Sequence, residues 1–145
     1  MKSVYVSLFT LVLLASCSGS ADKKVPELAN EMCGCFDAVE KKLSPDALTL
    51  MKTVSTAEDP QSAMMSGIGK LKQEEAVSLA EQLKSIGTKG SAVADCMQNF
   101  DKNHIKETTK DKKALMEKLL KEMRANGNCP VGAAIVSLGI KQGIQ

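Results

Sequence analysis

The stretch Pro26-Glu27-Leu28-Ala29-Asn30-Glu31-Met32-Cys33-Gly34-Cys35-Phe36-Asp37-Ala38-Val39-Glu40-Lys41-Lys42-Leu43 decides the fold class. Its apolar residues Leu28, Met32, Cys35, Phe36, Val39 and Leu43 recur at spacings of three and four, the period of one face of an α-helix. Pro26 suits the first turn, where a missing N–H costs no bond. The pattern continues outward. Ser44-Pro45 is a cap followed by a first-turn proline, and Ala47, Leu50, Met51 and Val54 form the next stripe. Residues 53–59 have the composition of a loop. Asp59-Pro60 opens a weaker helix carrying Met64, Met65, Ile68 and Leu71, diluted by Gly67 and Gly69 at about 1 kcal/mol each relative to alanine.

Further along, Ala76, Leu79, Ala80, Leu83 and Ile86 line a helix expected to end at Gly87 in a left-handed cap. Val93, Met97 and Phe100 start a stripe that runs toward Ile105, and Leu115, Met116, Leu119, Leu120 and Met123 form another that stops at Asn126-Gly127. The segment 130–145 is apolar nearly all round through Val131, Ala133, Ala134, Ile135, Val136, Leu138 and Ile140, which predicts a helix packed on several sides. No alternating strand pattern of useful length follows the N-terminal segment. The expected fold is therefore all-α: a compact, disulfide-stapled bundle of five to six helices over residues 26–145.

The N-terminus differs in kind. Lys2 is followed by Val4, Tyr5, Val6, Leu8, Phe9, Leu11, Val12, Leu13 and Leu14, the basic and apolar regions of an export signal. The run is too short to span a bilayer, which takes roughly 20 apolar residues. It ends at Leu14-Ala15-Ser16-Cys17, which resembles the lipobox of bacterial lipoproteins at every position. The resemblance implies removal of residues 1–16, a thioether-linked diacylglycerol on Cys17, acylation of the new amino group and residence in the cell envelope. Ser18 at the second mature position implies the outer membrane under the aspartate sorting rule. Two or three acyl chains anchor firmly, because each buried methylene contributes about 0.8 kcal/mol. Residues 17–25 then form the acylated cysteine and a polar tether rich in Ser, Gly and Lys.

Removing Lys2 with the signal leaves 18 basic against 17 acidic side chains, and Phe36 and Phe100 as the remaining aromatic residues. A near-neutral domain with two rings gives no basis for nucleic-acid binding, where stacking platforms need several exposed rings. The partners expected are the bilayer, through Cys17, and an envelope protein or small apolar ligand. No cofactor is expected.

With Cys17 assigned to lipid, Cys33, Cys35, Cys96 and Cys129 remain. An even number in an exported domain reads as two disulfides. Residues two apart on a helix diverge by about 200°, so Cys33 and Cys35 cannot bond each other without breaking the helix. Cys35 lies on the apolar stripe and Cys33 at its flank, which favours Cys35 with Cys96 and Cys33 with Cys129; the crossed pairing stays open. Two other uses of these thiols fit the sequence less well. Cys33-Gly34-Cys35 could form an oxidising redox pair, although no thioredoxin-like βαβ pattern accompanies it. The cysteines could join His104, Met32 or Met97 in a soft-metal site, although the spacings fit no usual ligand signature. The single His104 reads more simply as a surface residue near a helix end.

Met32, Met51, Met64, Met65, Met97, Met116 and Met123 fall on the helical stripes as adaptable core filler, with a surplus available to line a deformable groove. Such a groove-binder is expected to expose a patch of Met and Leu side chains. Lys106, Lys110, Lys112, Lys113, Lys118 and Lys121, interleaved with acids, read as a solvated helix face. Gly139-x-x-x-Gly143 resembles a close-packing motif. No nucleophile and base combination, phosphate loop or carboxylate pair stands out, so a non-enzymatic binding module is expected. The Met32-Cys33-Gly34-Cys35 helix with two distant cysteines is also similar to small envelope lipoproteins of Bacteroidota-type bacteria, a resemblance that brings no activity with it.

Overall fold

A computed structural model describes residues 24–105 and 109–143, the side chains at 109–111 aside; the signal segment, Cys17 and the tether up to residue 23 lie outside the described residues, as does Lys106. The described residues form eight helices and no strands: α1 Val25–Gly34, α2 Asp37–Glu40, α3 Pro45–Thr56, α4 Pro60–Ile68, α5 Gln73–Gly87, α6 Ala92–His104, α7 Thr109–Asn126 and α8 Pro130–Lys141.

Helix α8 is the centre. It packs most extensively on α3, then on α7, with α4 and α2 completing its surroundings. Val131, Gly132, Ala133, Ala134, Val136 and Ser137 are buried along it, and the small ones let neighbouring helices approach closely. Ala47, Leu50, Met51 and Val54 supply the facing stripe of α3. Helix α1 packs along α7, where Met116, Leu119, Leu120 and Met123 are buried. Phe36 and Phe100 are almost fully enclosed, so the phenylalanine rings of the described residues are spent on the core. Arg124 of α7 ties three elements together, donating from Nε to the Ser55 carbonyl of α3 at 2.6 Å and from Nη2 to the Ser137 hydroxyl of α8 at 3.4 Å.

The helix starts follow their capping chemistry. Ser44 Oγ accepts the Ala47 N–H at 3.2 Å, Ser91 Oγ accepts the Ala94 N–H at 3.1 Å, and one Asp59 oxygen accepts the Gln61 and Ser62 N–H groups at 3.1 Å each. The central helix receives its cap from elsewhere in the fold: Glu40 Oε1 of α2 accepts the Val131 N–H at 2.9 Å. That satisfies one of the orphan donors every helix start presents.

Several expectations are corrected. The first helical stripe is two helices, not one. The Cys35 and Phe36 N–H groups donate to the Met32 and Cys33 carbonyls, a tighter three-residue spacing that steps the chain between α1 and α2. Val25, placed in the tether, is the first residue of α1 and is buried. Helix α3 continues to Thr56, through half of the expected loop, with the Thr53 and Thr56 hydroxyls bonding back to carbonyls of the preceding turn. Gly87 does end α5, but the left-handed residue of that turn is Gly90, and Gly127 takes the same conformation after α7. Met65 points outward and is 72% exposed. The close approaches occur at Gly67, against Leu50, and at Gly132, where an added Cβ would lie 2.9 Å from the Phe36 ring; Gly139 meets nothing within 4 Å.

Candidate functional site

Two features concentrate the chemistry of the described residues: the cysteine staples and a groove between helices. Cys33 is bonded to Cys129 and Cys35 to Cys96, each pair with Cα atoms 5.6 Å apart. Two residues at the end of α1 thus reach in different directions, one to the start of α8 and the other to α6. Their divergence on the helix demands different partners, and the structure pairs them as the apolar stripe favoured. Cys35 and Cys129 are buried. All four sulfurs are bonded to a different helix or its cap, so neither Cys33 nor Cys35 presents a thiol in this structure.

His104 does not approach the cysteines as a ligand. Its Nε2 lies 3.0 and 3.1 Å from the two Glu31 carboxylate oxygens, and its ring rests at 4.9 Å from the Phe100 ring. It closes the end of α6 onto α1. Among the described residues no three His, Cys, Asp or Glu side chains gather in a group that could hold a metal ion. Met32 is in the core and Met97 lines the groove described next.

That groove, of about 420 Å³, lies between α6, α7 and α8. Met97 of α6, Met116 of α7 and Ile135 and Val136 of α8 contribute its apolar lining. Gly139 leaves room over the backbone of α8, since no heavy atom stands within 4 Å of where a side chain would begin. Polar side chains also line it: Gln98, Gln142 and the pair in which Lys112 Nζ donates to Asp101 Oδ2 at 3.1 Å, both members of the pair remaining partly open to solvent. The volume falls in the range of about 300–1,000 Å³ typical of small-molecule sites.

The expected Met and Leu patch is absent from the described surface, where the exposed large apolar residues are Met65 and Val77. The apolar surface on offer is recessed in the groove. Met97 and Met116 were legible as stripe residues able to line it. Asp101 and Lys112 were not, because they sit on different helices eleven positions apart; Lys112, read as part of a solvated face, is part-buried and paired. A second depression between α3 and α4, lined by Leu50 and Leu71, has no charged pair joining its walls.

Glu40 is one of the described titratable groups shifted by its setting. Burial pushes its carboxyl above the usual glutamate value and the neighbouring Asp37 charge adds to this, against the pull of the Val131 and Gly132 N–H groups. Asp59 is held below the usual aspartate value, chiefly by the Ser62 hydroxyl and N–H.

No family model, curated protein or solved structure matches this chain.

Proposed function

We propose that the protein is a lipid-anchored lipoprotein of the bacterial cell envelope, residing at the outer membrane, and that it acts without catalysis as a binding module through the groove between α6, α7 and α8. The observation that carries the anchor is the sequence Leu14-Ala15-Ser16-Cys17 after a short apolar run. Two further features support it. Disulfides persist in oxidising compartments, and this domain holds two. No helix among the described residues is long and apolar enough to cross a membrane, so attachment through Cys17 would supply the membrane contact. The groove supports the binding role, since its lining is apolar for the most part and includes the Asp101–Lys112 pair.

The test is metabolic labelling with an alkyne fatty acid in a bacterial host, followed by detergent phase separation of wild-type protein and Cys17→Ser. Label on the wild type, its loss in the variant and a matching move from detergent to aqueous phase are expected. Equal partition of the two proteins, with no label on either, would sink the anchor.

A further inference from the structure

We infer that the groove between α6, α7 and α8 takes one acyl chain of a zwitterionic phospholipid, with the headgroup seated at the Asp101–Lys112 pair. The inference rests on the lipid-anchor reading above for the nearness of a bilayer.

Three observations lead to it. The first is the lining. Met97 and Met116 are unbranched and polarisable, and such side chains adjust to a flexible hydrocarbon better than to a rigid shape. An extended peptide's backbone donors and acceptors would find few partners in the groove, whose polar side chains are Gln98, Gln142 and the already paired Asp101 and Lys112. An acyl chain has none to satisfy.

Charge is the second. Asp101 and Lys112 hold opposite charges side by side at 3.1 Å, with side-chain exposures of 43% and 22%. An ammonium fits against the carboxylate and a phosphate against the lysine, so a zwitterionic headgroup exchanges one ion pair for two. An anionic headgroup gains the lysine and meets the aspartate charge as a repulsion.

Position is the third. Helices α7 and α8 form a hairpin closed at Gly127, and the Cys33–Cys129 bond pins the end of α1 to that closed end. The groove uses the first half of α7, at Lys112 and Met116, and the second half of α8 onward, from Ile135 to Gly143, so it lies toward the far end of the hairpin. Helix α1 packs along α7, and its first residue, Val25, therefore leaves the domain toward that same end. The eight residue steps from Cys17 to Val25 span at most about 29 Å when extended. An anchor at Cys17 holds Val25, at the groove end of the domain, within that distance of the bilayer surface.

The experiment uses the full chain in vesicles of phosphatidylethanolamine doped with the same lipid carrying a diazirine in one acyl chain, with photo-adducts mapped by mass spectrometry. Adducts are expected on the peptides bearing Met97, Met116 and Ile135. Gly139→Phe, which fills the groove from an open position, should cut them about tenfold or more. Gly87→Phe, at an open site on another helix, should leave them unchanged. A phosphatidylglycerol probe should label the groove more weakly. Adducts spread over the surface and indifferent to Gly139→Phe, or equal labelling by the two headgroups, would overturn the inference. Repeating the labelling on Cys17→Ser with monomeric diazirine lysophosphatidylethanolamine separates the two claims. Groove adducts there support the site even where vesicle partition shows the anchor reading to have failed, and their absence counts against the site alone.

Discussion

Helix α8 buries Val131, Gly132, Ala133, Ala134, Val136 and Ser137 within twelve residues, whereas α5, at fifteen, buries Leu79 alone. The contrast runs against intrinsic propensity. Helix α5 is rich in Glu, Gln, Ala, Leu and Lys, all good helix formers, while α8 carries two glycines and several β-branched residues. Helix α8 is stable because α2, α3, α4 and α7 surround it, Glu40 caps it and the Cys33–Cys129 bond holds its start. Helix α5 leans on α6 and α3, leaves Val77 51% exposed, and relies on local terms such as the Glu75 carboxylate accepting the Lys72 N–H at 3.3 Å. Most helical stability in proteins comes from tertiary packing, and this domain divides along that line. The α5 side should open locally at low free energy, and the α1–α7–α8 side only with the whole fold.

The largest test strikes the pinned side. Phe36, fully buried beside Gly132, is expected to cost about 3–5 kcal/mol when changed to alanine, and losing the Cys33–Cys129 bond through Cys129→Ser about 4 kcal/mol in the chain-entropy model. Denaturant unfolding reads both. A loss under 1 kcal/mol in either would erase the distinction between the two sides. Next comes a matched pair of glycines. Gly132→Ala should destabilise by about 1–3 kcal/mol, because the new methyl meets Cys129 Sγ and the Phe36 ring. Gly87→Ala, with open space around it at the end of α5, should be neutral or gain a few tenths of a kcal/mol.

Two carboxylates sharpen the comparison through pH, with opposite signs. Glu40 has a raised carboxyl value when folded, so above the ordinary glutamate value the folded state holds more protons than the unfolded and stability falls as pH rises through that window. Glu40→Gln keeps an acceptor for the Val131 N–H and should flatten this fall; Glu40→Ala removes the acceptor and should cost about 1 kcal/mol. Asp59, with a lowered value, stabilises above the ordinary aspartate value and loses that contribution as pH falls, and Asp59→Asn should weaken that acid dependence. Thermal unfolding from pH 3 to 7 checks both slopes. The smallest effect is Val77→Ala on α5, expected to stay within about 0.5 kcal/mol because the side chain is largely solvated.

The helices of the core were legible because burial on one face writes a period of three and four into the chain, as Leu119, Leu120 and Met123 do on α7. The break between α1 and α2 was not. Cys35 and Phe36 stay in right-handed helical conformation, so the apolar stripe passes across the step unchanged. The cysteines on α1 signalled divergent partners by their spacing alone. The candidate groove was half legible: methionines advertise deformable lining, but Asp101–Lys112 and the distant Glu31–His104 contact arise only when α6 is folded against α7 and α1. Glu40 likewise caps a helix start 91 residues away, a distance over which no local pattern operates.

The most direct test of the account is non-reducing peptide mapping, by mass spectrometry, of the protein taken from its own membranes. It predicts an amino-terminal peptide beginning at acylated Cys17 together with two cross-linked peptides, Cys33 with Cys129 and Cys35 with Cys96. An unmodified Cys17, free thiols at Cys33 and Cys35, or a bond between those two would contradict it.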